Sequence, residues 1–270
     1  MWFCAMTPTR SKTSLGWQTQ GQGKDIILLR GLGRWSEHWC GFPEELACFF
    51  RVTTIDNRGF GMSKGAGVPW NLTIKLMAQD IFEVAEAAGL TKPSIMGVSL
   101  GGMIGMQTAA LYPEYFSKLI LVNTSFGGSP FQRITPAALK ALSRGIWSPR
   151  TFYESLSNVL LGTAFAPESS KMLEEQWREI DQRHGLEPLK VLRQLIASAR
   201  FQESSILANI KTPTMIIKGA ADKFIDPRNS DWIAQRIKGS HIVTDQAGGH
   251  ELAFERRAWL LKEVRAFLAT

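Results

Sequence analysis

Apolar residues in this chain fall into short continuous runs, separated by longer stretches in which they recur at helical spacing. Asp25-Ile26-Ile27-Leu28-Leu29, the run Ser94 to Val98, Lys118-Leu119-Ile120-Leu121-Val122 and Thr214-Met215-Ile216-Ile217-Lys218 are of the first kind, and Arg51-Val52-Thr53-Thr54-Ile55 reads as a further strand. Short apolar runs without polar alternation predict strands buried on both faces. Between them, Thr73 to Ala88 gathers Ile74, Leu76, Met77, Ile81, Val84 and Ala85 at helical spacing, and Gly89 supplies a stop. Leu252 to Leu268 places Trp259, Leu260, Val264 and Phe267 on one side and predicts a single amphipathic helix. Residues 13 to 20 read as a strand before a glycine turn, Trp35 to Phe50 as partly helical, Asp231 to Ile237 as a helix and His241 to Val243 as a strand. Strands alternating with helices predict a parallel sheet covered on both faces.

From Ser125 to Ser205 the pattern changes. Helical spacing continues without a strand-like run, and Pro130, Pro136, Pro149, Pro167 and Pro188 divide the stretch into short helices. A helical cap inserted after the sixth strand is therefore expected over the sheet's C-terminal edge, where ligands bind in such sheets. The expected division is a core from 1–124 and 206–270 with a cap from 125–205.

One apolar run ends in Gly97-Val98-Ser99-Leu100-Gly101, and a helix-compatible segment follows to Tyr112. A strand, a sharp turn and a helix with serine at the tip require small residues two before and two after that serine. Gly97 and Gly101 meet the requirement, and Gly102 and Gly105 keep the helix slim against the sheet. The hydroxyl would stand at a helix N-terminus, where free N–H groups favour developing negative charge.

Composition narrows the field. The chain has 270 residues, 44% hydrophobic and 20% charged, within the range of ordinary globular proteins. Its net charge of +7 comes from scattered Lys and Arg rather than a basic block, so nucleic-acid binding is not expected. No stretch is long enough for a membrane span, and Met1 to Met6 is too short for a signal sequence, so a cytoplasmic location is expected. Cys4, Cys40 and Cys48 lack metal-ligand spacing and are odd in number, which predicts reduced thiols and no metal site.

The sequence resembles the α/β-hydrolase superfamily along almost its whole length. The motifs that carry the likeness are Arg30-Gly31-Leu32-Gly33, Asp56-x-Arg58-Gly59-x-Gly61-x-Ser63, Gly97-Val98-Ser99-Leu100-Gly101-Gly102, Gly219-x-x-Asp222 and Gly248-Gly249-His250. Among its members, small carboxylesterases and 3-oxoadipate enol-lactonases are the most similar in motif. The resemblance implies a mostly parallel sheet of roughly eight strands. It also implies a nucleophile Ser99, a general base His250 and an orienting acid Asp222, in the chain order Ser, Asp, His. Asp226 and Asp245 compete for the third role, although Asp226 precedes Pro227 and suits a helix cap. His38, His184 and His241 are expected to be structural. Backbone N–H groups of Leu32 and Leu100 would form the oxyanion hole, and Arg58 would brace loops through backbone carbonyls.

Arg30 departs from the family, which usually has histidine before Gly31. Arg30 and Trp147 are the candidate substrate contacts, and Phe126, Phe131, Phe152, Tyr153, Phe165 and Trp177 suggest an apolar roof. The implied activity is hydrolysis of a small ester or lactone through an acyl-enzyme, without metal or organic cofactor. Enol-lactone or carbon–carbon bond hydrolysis and acyl transfer would use the same triad, and a non-catalytic receptor would use the fold alone. A carboxylated substrate would need Arg30, Lys171, Arg178, Arg183 or Lys190 to point inward. Because the cap residues lie at spacings of solvated faces, neutral short to medium esters are the expected substrates.

Overall fold

Asp25–Leu29 and Ser94–Val98 are buried along their full length, as are Leu119–Val122 at the centre of the same sheet. The computed structural model describes residues 9–10, 15–127, 133–147, 156–162, 167–185, 187–202 and 205–270. Its strands are β1 (Thr9–Arg10), β2 (Gly16–Gln20), β3 (Asp25–Leu29), β4 (Arg51–Ile55), β5 (Ser94–Val98), β6 (Leu119–Val122), β7 (Thr214–Gly219) and β8 (His241–Asp245). They form one sheet in the order β1-β2-β4-β3-β5-β6-β7-β8. Pairing is antiparallel at β1–β2 and β2–β4 and parallel from β4 to β8.

The helices of the α/β alternation are α1 (Phe42–Leu46), α2 (Ile74–Ala87) and α3 (Leu100–Leu111). After β6 the chain runs through α4 (Pro136–Trp147), α5 (156–160), α6 (Pro167–His184), α7 (Pro188–Arg200) and α8 (Ser205–Asn209) before re-entering the sheet at β7. The prolines at 136, 167 and 188 open helices rather than interrupt them, because the first helical position needs no N–H. α9 (Arg228–Ala234), α10 (Leu252–Glu255) and α11 (Arg257–Ala269) complete the chain. The single helix expected from Leu252 is broken at Arg256, whose φ of −125° and ψ of 33° leave the helical region. α9 starts three residues before the expected Asp231, directly after Pro227.

Strand periodicity divides the core. Ile27, Leu29, Ile95 and Leu121 face α2, α3 and α9, whereas Ile26, Leu28, Met96 and Val122 face α1 and α11. Each fully buried aliphatic side chain contributes about 1.5–3 kcal/mol, so the two layers together anchor the sheet. A third cluster joins Trp35 and Phe60 from the sheet's loops to Leu156, Leu160, Leu173 and Trp177 of the inserted helices. Among the described residues no helix is long and apolar enough to cross a membrane.

The chain steps from β3 outward to β4 and then returns to β5 on β3's other side. The loops leaving β3 and β5 therefore diverge at a topological switch point, which opens a crevice beyond their carboxyl ends. Residues 30–34 and Ser99 occupy those two loops.

Candidate active site

Ser99 lies between β5 and α3 with φ 55° and ψ −118°, a region that L residues rarely adopt. The flanking glycines explain how the turn closes. A Cβ on Gly97 would collide with the Gly101 carbonyl, one on Gly101 with the Leu29 carbonyl, and one on Gly102 with Thr124. The turn is also tied down from β6: Ser99 N–H donates to the Val122 carbonyl at 3.0 Å, and the Thr124 hydroxyl donates to the Ser99 carbonyl at 2.7 Å.

Asp222 and His250 meet at the ends of β7 and β8. His250 Nδ1 and Asp222 Oδ2 are 2.8 Å apart, with side-chain exposures of 4% and 2%. A carboxylate only accepts, so Nδ1 carries the proton and Nε2 is left as the basic nitrogen. The other carboxylate oxygen of Asp222 accepts from Phe224 N–H at 2.7 Å and Ile225 N–H at 2.9 Å. Asn123, at φ 44° after β6, donates its amide to the Gly249 and His250 carbonyls and accepts from Gly219 N–H. One side chain thus clamps the loops that carry both partners. Burial by itself would lower the His250 pKa, but the Asp222 charge and hydrogen bond, with Glu251 beside them, outweigh it and hold the imidazole above its ordinary value.

The rival aspartates have other tasks. Asp226 accepts from Arg228 N–H at 2.9 Å and pairs with the Arg228 guanidinium at the start of α9. Asp245 accepts from Ala247 and Gly248 N–H and pairs with Arg256, shaping the turn before His250. Among the histidines, His38 Nδ1 accepts from Trp35 N–H, and burial with the nearby Arg34 and Arg30 charges pushes its pKa well down. His184 pairs with Glu37, and His241 packs against Phe267. Arg58 donates to the Gly67 carbonyl and pairs with Asp80.

Ser99 and His250 line one pocket with Leu32, Arg34, Phe224 and Glu251. Leu142, Leu156, Leu160 and Val191 of the inserted helices make its outer wall, and its volume is small, about 40 Å³. Within the described residues, the N–H groups of Leu32 and Leu100 donate to no acceptor. Gly33 N–H is occupied, donating to Gln194 Oε1 of α7 at 2.9 Å.

Arg30 is not part of the pocket lining. Its guanidinium stacks over Trp39 at 4.8 Å, and Nη2 donates to both Glu251 oxygens at 3.1 and 3.0 Å, behind the wall. Burial opposes ionisation of Glu251, but Arg30, His250 and Arg34 outweigh it and hold its carboxyl below the usual range. The Trp147 side chain and Phe131, Phe152, Tyr153 and Phe165 lie outside the described residues. Phe126 and Trp177 are fully buried, Phe126 against Phe201 and Trp232, and Trp177 under Arg34. Arg183 reaches Glu37, and Lys190 reaches Glu187 and the Gly59 carbonyl.

Four residues escaped the sequence reading. Arg34 and Glu251 had a positional signal, being inside the first glycine loop and next to His250. Gln194 and Glu255 had none, since only the fold brings α7 to Gly33 and α10 to Gly162. Among the described residues no cluster of side chains suited to a metal is present.

With this arrangement of sheet, crevice and loops, residues 25–256 match the family model described as the alpha/beta hydrolase fold, and the chain belongs to that family. A Rhizobium rhizogenes protein provisionally named carbamate hydrolase RutD is 29% identical over 84% of this chain and 86% of its own length. The pimeloyl-[acyl-carrier protein] methyl ester esterase of Sodalis glossinidius is 27% identical over 88% of this chain and 91% of its own. In structure, the chain is similar to the esterase EaEST from Exiguobacterium antarcticum, with a TM-score of 0.82 at 17% identity over 98% of this chain and 99% of the other.

Proposed function

We propose that this protein is a serine hydrolase that cleaves a small ester-type substrate through an acyl-enzyme. Ser99 is the nucleophile, His250 the general base and then acid, and Asp222 the carboxylate that fixes the imidazole tautomer. The observation that carries this reading is the buried His250–Asp222 hydrogen bond of 2.8 Å beside a pocket that His250 shares with Ser99. In the reaction His250 Nε2 takes the Ser99 proton as Oγ attacks the carbonyl, and the Leu32 and Leu100 N–H groups receive the oxyanion. His250 returns the proton to the leaving alcohol, and the same groups then activate water to release the acid. Each oxyanion donor contributes about 3 kcal/mol to the barrier reduction.

Residues 125–205 act in this reading as a cap whose apolar helices exclude water, over a core of 1–124 and 206–270. A cytoplasmic location is part of this reading. A carbamate carbonyl suits the same machinery, and the relatives named for carbamate hydrolysis support it as a second substrate type. Enol-lactone or carbon–carbon bond hydrolysis and acyl transfer would also use these three residues.

A fluorophosphonate probe is expected to add covalently to Ser99. Ser99→Ala is expected to keep the fold and to lower p-nitrophenyl ester turnover by roughly three orders of magnitude or more. Ordinary turnover by that variant, or native protein that resists the probe, would remove the mechanism and favour a ligand-binding role.

A further inference from the structure

Phe224 stands where three parts of the site meet. Its N–H donates to the Asp222 carboxylate at 2.7 Å, and its carbonyl accepts from Thr135 N–H at 3.0 Å, just before α4. The Thr135 hydroxyl also donates to the neighbouring Lys223 carbonyl. The backbone of Phe224 is thus pinned by the acid on one side and by the inserted helices on the other. With both backbone groups occupied, the ring is what Phe224 presents to the site. Its centroid lies 4.8 Å from that of the His250 imidazole, with the two planes tilted by 41°. The residue is 6% exposed and lines the pocket that holds Ser99.

The ring belongs to the same apolar cluster as Leu156 and Leu160, with Leu142 and Val191 packed against that cluster, and all four line the pocket as well. Close packing behind the ring leaves it little room to retreat from a guest. Size then sets what fits. A water-sized group takes roughly 10–15 Å³ of cavity. The pocket's volume of about 40 Å³ therefore takes about three non-hydrogen atoms, an acetyl group's worth. The acyl group is the part that must fit there, because it stays bonded to Ser99 while the alcohol leaves and water takes its place beside His250.

We propose that Phe224 is a specificity-determining residue whose ring closes the apolar pocket beside His250 and limits the acyl group to about two or three carbons. This rests on the serine-hydrolase reading. It narrows the expected range of short to medium esters to its short end, and it assigns that limit to the loop after β7 rather than to the inserted helices alone.

The test compares p-nitrophenyl acetate, butyrate and hexanoate, which share a leaving group and differ only in acyl length. For native protein kcat/KM is expected to favour the acetate over the hexanoate by about tenfold or more. Phe224→Leu keeps apolar packing but removes the ring, and is expected to raise the hexanoate-to-acetate ratio severalfold. Phe224→Ala is expected to raise it further, and should that variant fail to fold, Phe224→Leu decides. Equal losses on all three esters, with the ratio unchanged, would mean that Phe224 only supports His250, and would overturn the assignment. A native preference for the hexanoate would overturn it too. Labelling of Ser99 by the fluorophosphonate without turnover of any of the three esters defeats the short-acyl assignment alone. If no ester is turned over and Ser99 stays unlabelled, the hydrolase reading falls and this inference with it.

Discussion

Arg30 stands before Gly31, where members of the family usually have histidine, and the structure gives it a partner from across the sheet. Glu251 follows His250 directly and lies against Arg30, so a core arginine and the neighbour of His250 form one buried pair. Removing one member of such a pair costs about 3–5 kcal/mol, because the other charge is left buried alone. The pair also acts on the imidazole: Glu251 raises the His250 pKa and Arg30 lowers it. Glu251→Gln deletes one of the raising charges while the lowering one stays, so the imidazolium becomes less stable and His250 stays neutral to lower pH. The acid limb of kcat/KM against pH is therefore expected to shift downward in Glu251→Gln. A midpoint that stays in place or rises would show that Glu251 does not act on His250 through charge.

At the scale of elements, what could be read in advance followed from local rules. The turn from β5 into α3 was legible because one strained serine demands small neighbours at fixed offsets, and the collisions a Cβ would meet at Gly97 and Gly101 give the same reason in space. Strand runs were legible from their unbroken apolar character and α2 from its helical spacing, whereas the Thr73 hydroxyl that accepts from Leu76 N–H at the start of α2 was not singled out. What could not be read depends on contacts between distant segments. The helix expected from Leu252 to Leu268 breaks because the Glu255 carboxylate turns back to accept from Gly162, Gly249 and Glu251 N–H, which no periodicity encodes. The orientation of Arg34 was equally hidden, since it depends on Trp177 arriving from α6. α7 offers a test of such coupling. Gln194 is 1% exposed and its carbonyl oxygen holds Gly33 N–H, next to Leu32. Gln194→Leu leaves a backbone donor buried without a partner, a cost of about 1–3 kcal/mol, and frees the loop to shift. Its kcat is expected to fall more than its KM rises, whereas Gln194→Glu keeps an acceptor and should retain more of kcat. Steady-state kinetics on both variants check this, and equal kcat losses would mean that the Gly33 bond does not hold the loop.

For the whole molecule, the inserted helices and the sheet are joined at the His250 loop. The Leu160 carbonyl accepts from His250 N–H at 2.7 Å, and Glu255 links Gly162 to Gly249. Burial is the leading influence on Glu255 and outweighs its three backbone donors, pushing its pKa up from 4.5 to about 7. A carboxyl group raised in this way binds its proton more tightly folded than unfolded. Below about pH 4.5 both states are protonated, and the group adds no pH dependence. Between 4.5 and about 7 the unfolded chain has released the proton while the folded one keeps it, so stability from this group is lost as pH rises. Above about 7 both are ionised and the loss is complete. Asp181, raised by burial to about 6, and His250 slope the same way, so the pH dependence of the native protein alone does not isolate Glu255. The comparison with Glu255→Gln does, because the amide does not titrate. Urea midpoints measured for both proteins from pH 4 to 8 are expected to move apart across that window, with native protein losing ground to the variant as pH rises. A constant difference, or one that changes in the opposite sense, would mean that Glu255 is ionised throughout and that its three backbone donors outweigh its burial.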